Sequence, residues 1–125
     1  MRWRSRKLDP KPWPFPGPRV LIEDPEEAQS LQLTQSLRTA GYAVAICPGP
    51  ADGGDRCPVA EHEPCALVEG ADVVVCGLPQ KQESGREVLD GLRLRYAGKP
   101  VVVSGSAAPS EVVEAVNRAA RRVQS

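Results

Sequence analysis

The sequence is poor in aromatic rings and in histidine. It has one Phe, two Trp and two Tyr among 125 residues. A core built on stacked aromatics is therefore excluded, and aliphatic side chains must do most of the packing. The single histidine, His62, rules out any multi-histidine metal site within the chain. No apolar run approaches the roughly 20 residues that a helix needs to span a bilayer. Excess charge is missing too: 16 Lys+Arg balance 16 Asp+Glu. That balance argues against a nucleic-acid binder that works by bulk charge. The basic start, residues 1–11, lacks the apolar stretch of a secretory signal. The protein is accordingly read as cytoplasmic, with no membrane partner. No GxGxxG, no P-loop and no Ser/His/Asp arrangement occurs. The length suits one domain with one core.

Proline is abundant, and its distribution divides the chain. Five of the 13 prolines fall in residues 1–18, at Pro10, Pro12, Pro14, Pro16 and Pro18. The same stretch holds Trp3, Trp13 and Phe15. It carries five basic residues against the single acid Asp9, so its charge is +4 and that of the remainder −4. Alternating prolines remove backbone donors and fix φ, which predicts an extended, polyproline-like arm. Three readings of the arm stand side by side. Trp13 and Phe15 clip it onto its own domain, or Trp3, Trp13 and Phe15 offer it to a partner, or it is a tail without fixed structure.

Residues 19–125 read as one α/β domain. Val20–Glu23 is an apolar run ending in acid, a buried strand. Asp24-Pro25-Glu26-Glu27 supplies an N-cap, a proline at the first helical position and acids in the first turn. The helix that follows should run to about Ala40, with Leu31, Leu33 and Leu37 inward, and Gly41 should stop it. Tyr42–Cys47 is the second strand. An irregular loop spans 47–65, and one short helical turn is expected near 64–69. Asp72–Cys76 is the third strand, Ser84–Ala97 an amphipathic helix, Val101–Val103 the fourth strand and Pro109–Val123 the last helix. Unbroken valine runs mean strands covered on both faces, hence a parallel sheet between helices. Right-handed crossovers give a small doubly wound three-layer sandwich of flavodoxin-like form, with strand order 2-1-3-4.

Two stretches carry a family resemblance. The segment Val20-Leu21-Ile22-Glu23-Asp24-Pro25-Glu26-Glu27, followed by Ala40-Gly41-Tyr42-Ala43-Val44, resembles the opening of a response-regulator receiver domain. Ala71-Asp72-Val73-Val74-Val75-Cys76-Gly77-Leu78-Pro79 is similar to the third strand of that family. The resemblance implies a cation-holding acidic pair at Glu23 and Asp24 and a switch hydroxyl at Ser104. It also implies a phosphoacceptor aspartate at the end of the third strand. That position falls on Gly77, or on Cys76 with a slip of one, and neither is a carboxylate. A fifth strand with the family's lysine has no counterpart. The implied protein is a pseudo-receiver: a non-catalytic regulatory or protein-interaction module, not phosphorylated by the usual aspartate chemistry and needing no cofactor. Its partner would be another protein, through the basic Pro/Trp arm, or a second copy, through the last two helices.

Other candidates remain open. Asp24 with Glu27 also suits a plain helix-capping box. Cys47, Cys57, His62 and Cys65, spaced C-x9-C-x4-H-x2-C, offer ligands for Zn or an Fe–S cluster, which would order the long loop. The spacing lacks a C-x2-C knuckle, so unlinked thiols and a disulfide between two of them are the alternatives. Ser104-Gly105-Ser106, between a strand and a helix, is either an ordinary turn or the edge of a site for a small phosphate-containing ligand.

Overall fold

The computed structural model describes residues 18–47, 65–78 and 82–124. The chain runs β1 (Arg19–Glu23), α1 (Glu27–Thr39), β2 (Ala43–Cys47), α2 (Ala66–Gly70), β3 (Val73–Cys76), α3 (Glu83–Arg95), β4 (Val101–Val103) and α4 (Pro109–Gln124). All strand pairs are parallel, in the order β2-β1-β3-β4. This is the doubly wound, flavodoxin-like α/β sandwich expected from the valine runs.

Strand alternation splits the core into two layers. Leu21, Ala43, Val74 and Cys76 pack beneath Val68 of α2 and Val88 and Leu92 of α3. Val20, Ile22, Val73 and Val75 pack on the other face, beneath Leu33 and Leu37 of α1 and Val112 and Val116 of α4. Each fully buried Leu or Val contributes about 1.5–3 kcal/mol relative to an exposed one. Aliphatic burial on both faces thus replaces the missing aromatics. The two tyrosines close the periphery. Tyr42 hydroxyl donates to Asn117 Oδ1 on α4. Tyr96 hydroxyl receives the Cys65 N–H at 3.0 Å and donates to Glu69 Oε2 at 3.0 Å.

The first helix differs from expectation in two ways. Leu31 is 52% exposed, while Ser30 and Thr34 are buried beside Leu33 and Leu37. Burial of these hydroxyls leaves no donor unpaired, because Thr34 Oγ1 donates to Ser30 O at 2.7 Å and Ser30 Oγ to Glu27 O at 3.0 Å. Asp24 is not the capping residue either. The N-cap is Glu26, with no side-chain cap bond. Asp24 Oδ1 instead accepts the Glu26 N–H at 2.8 Å, closing a turn before the helix. The C-terminal stop is as read: Gly41 has φ of 100°, the left-handed backbone that glycine tolerates. Coverage of the strands thins at the rims of the sheet, where Ile46 of β2 and Val103 of β4 are exposed.

Candidate functional site

In a parallel sheet every strand delivers its last residue to one edge, and the crevice at a reversal of strand order is the usual place for a site. Here the reversal lies between β1 and β3. The ladder continues past the strands at this edge. Asp24 N–H donates to Cys47 O at 3.0 Å, Gly77 N–H to Glu23 O at 2.7 Å, and Ser104 N–H to Cys76 O at 3.0 Å. These bonds fix two successive rows of residues.

The inner row is Cys47, Glu23 and Cys76, set side by side by the register Glu23↔Cys47 and Glu23↔Cys76. Glu23 is only 1% exposed. Loss of water pushes its carboxyl above the ordinary value near 4.5, and a hydrogen bond from the Cys47 thiol opposes part of that rise. Its Oε2 has no partner. The Cys76 thiol is likewise pushed up, first by burial, with the nearby Glu23 adding to the shift.

The outer row is Asp24, Gly77 and Ser104. Asp24 and Ser104 are each 4% exposed, and Asp24 Oδ2 and Ser104 Oγ are buried without hydrogen-bond partners. Burial raises the Asp24 carboxyl above its usual value, the Glu26 N–H bond lowers it, and the Glu26 charge raises it again. A Cβ placed on Gly77 would lie 2.7 Å from Asp24 Oδ2 and 3.1 Å from Ser104 Oγ. The glycine is required by this close approach: the Asp24 carboxyl occupies the place a side chain would need.

Glu23, Asp24, Gly77 and Ser104 are therefore brought together at one edge, in two rows. The arrangement presents buried acceptors and no counter-charge from the residues that form it. It can take up protons or donors. No carboxylate stands at the end of β3 to act as a nucleophile.

A pocket of about 290 Å³ opens beside this edge between Gln29 and Gln32 of α1 and Gly105 and Ser106 after β4. Asp24 and Ser104 do not line it. At the start of α4 the Ala108 N–H is already held by Glu111 Oε1 at 2.9 Å. The start of α4 is thus partly capped by its own Glu111.

Of the cysteine-loop candidates, Cys47 ends β2, and Cys65 precedes α2 as its N-cap. Both pack against the α2–α3 side of the core. Cys57 and His62 lie outside the described residues, as do Trp3, Trp13 and Phe15 of the arm. Among the described residues no group of three or more His, Cys, Asp or Glu side chains is placed to hold a metal ion. No described helix is long and apolar enough to cross a membrane. The inner row escaped the sequence reading, because Cys47 was weighed with the loop and Cys76 as a strand residue or a slipped acceptor position, never with Glu23 and Cys47 together. The signal was available: each of the three residues ends its own strand. A scan against protein-family models matches none, and a search of curated proteins finds no significant relative.

Proposed function

We propose that the chain is a receiver-like regulatory or protein-interaction module that does not accept a phosphoryl group. One observation carries this reading. At the end of β3, where the family resemblance calls for an aspartate, stands Gly77, and the neighbouring Asp24 carboxyl fills the space above it. Acyl-phosphate formation needs a carboxylate whose oxygen can reach phosphorus and attack it in line with the leaving group. The two carboxylates at this edge are buried, and loss of water raises both above their ordinary values. The rest of the receiver-like layout supports an interaction role: an acidic pair ends β1, and Ser104 follows β4. The partner on this reading is a protein or a second copy of the chain.

Incubation with acetyl phosphate and Mg²⁺, followed by intact mass spectrometry, tests the proposal. The expected result is an unchanged mass. A stable adduct of roughly 80 Da, the mass of one phosphoryl group, on Glu23, Asp24 or Cys76 overturns it.

A further inference from the structure

The sheet ends at β4, and the ladder fixes which backbone groups of that strand point outward. Pro100 O accepts the Val74 N–H at 3.0 Å, and the Ser104 N–H donates to Cys76 O at 3.0 Å. Successive residues of a strand direct their N–H and C=O groups to opposite sides. Positions 100, 102 and 104 therefore face β3, and Val101 and Val103 turn theirs outward. No described strand pairs with that side. Edges are commonly blunted by charge, a bulge or a proline. Val101–Val103 carries no charge, and Pro100 has its missing N–H on the β3 side. Val103 is also 44% exposed.

What flanks the edge says what covers it. Helix α4 lies over β3 and β4. Its residues Glu111, Ala115, Arg118 and Arg122 recur at steps of four and three, which places them on one stripe. The other flank of the helix is turned to α1, because Asn117 Oδ1 accepts the Tyr42 hydroxyl. Arg122 lines a pocket with Gly98, Lys99 and Pro100, which lead into β4. The stripe thus lies on the open side, acidic at one end, small in the middle and basic at the other.

We propose that the β4 edge is the docking surface for a second copy of this chain, the two β4 strands pairing antiparallel about a two-fold axis at Val102. Val101 then exchanges both backbone bonds with the partner's Val103, and Val103 with the partner's Val101. These valines cover one another on one face. Val102, which packs toward α4 on the other face, meets its own copy at the axis. The same axis sets α4 antiparallel to its mate. Glu111 then faces the partner's Arg118 and Arg122, and the contact is made twice. Glu111 Oε1 holds the Ala108 N–H, so Oε2 serves this contact. Other charges nearby do not oppose the pairing. Lys99 donates its ammonium hydrogens to Glu69 O at 3.2 Å and Ala71 O at 2.6 Å. On the far face α3 exposes Glu83, Glu87 and Asp90 together with Arg86, Arg93 and Arg95, equal in sign. The β2 edge fits less well. There α1 offers only Glu27 and Arg38 as charges, and the chain passes from Cys47 into residues outside the described ones. The inference deepens the interaction reading above by naming its partner, and rests on that reading for its regulatory meaning alone.

Sedimentation velocity of the full chain over a concentration series is the test. Short edges make a small interface of the transient class. The expected result is a reversible monomer–dimer equilibrium that stops at two, because a two-fold pairing closes on itself. V103K should raise the dissociation constant at least about tenfold, since lysine blunts an edge. I46K, at the far edge of the sheet, should leave it at the wild-type value. Two charge variants guard against a folding defect. E111K and the double variant R118E/R122E should each stay monomeric, because their stripes then carry one sign. An equimolar mixture of the two should dimerise, because the stripes become complementary. A chain that is monomeric throughout overturns the proposal, as do assemblies beyond two. A dimer that V103K leaves intact, or one that I46K abolishes, overturns it by moving the contact elsewhere. A mixture no better than either variant alone overturns it as well. None of these outcomes alters the acetyl phosphate result, so the two readings fail separately.

Discussion

Gly77→Ala lowers the free energy of unfolding by about 1–3 kcal/mol, the usual cost of forcing an extra methyl into a filled space. The new Cβ would sit 2.7 Å from Asp24 Oδ2 and 3.1 Å from both Asp24 Cγ and Ser104 Oγ. A flexible, solvated carboxylate could swing aside cheaply, but this one is 4% exposed. Its other oxygen holds the Glu26 N–H at 2.8 Å. Moving it breaks the turn that leads into α1. The coupling is specific. With Asp24→Ala already in place, the cost of Gly77→Ala should shrink to a fraction of its value, because the clashing group is gone. Urea unfolding of the four proteins of this cycle measures both quantities. Equal costs of Gly77→Ala in the two backgrounds would mean that the glycine answers to something other than Asp24.

Glu23→Gln should make the protein more stable at neutral pH and change it little in acid. The sign follows from the direction of the shift. Burial raises the Glu23 carboxyl above its unfolded value. The folded state therefore prefers the protonated form. Its favourable contribution is complete below the unfolded value, near 4.5, and is lost as pH rises through the higher folded value. Glutamine is neutral throughout, and its carbonyl can still accept the Cys47 thiol hydrogen. The gain of the variant over wild type should grow from near zero at about pH 4 to about 1–3 kcal/mol at about pH 7. Using the difference between the two proteins cancels every other titrating group. A difference independent of pH, or one that favours wild type increasingly toward neutrality, would contradict a desolvated Glu23.

The elements readable from the sequence were those with a single physical reading. Val73-Val74-Val75 has no polar alternation and sits wholly inside the sheet. Gly41 follows a helical pattern and adopts the left-handed backbone that ends it. The strand order also followed from the topology rules. The misread element was α1, where two polarities competed. Leucine at position 31 looked like core, while Ser30 and Thr34 looked like surface. The helix reversed this by returning both hydroxyls to its own carbonyls. Asp24 was ambiguous for a similar reason. One carboxyl could cap the helix or close the preceding turn, and only the position of Glu26 decides between them.

The site was legible as an edge but not as an arrangement. Glu23, Asp24, Gly77 and Ser104 could each be assigned to a strand end. Their division into rows depends on the register between β1 and β3, some fifty residues apart in the chain. No local pattern encodes that register.

The central claim is that the β1 carboxylates form a closed, water-poor cluster around Gly77 and not an open acceptor site. Carboxyl-carbon NMR of the folded protein, followed through a pH titration, tests it most directly. The account predicts that Glu23 and Asp24 both titrate above the values of the same residues in the unfolded chain. Midpoints at or below those values would show two solvated carboxylates and contradict it.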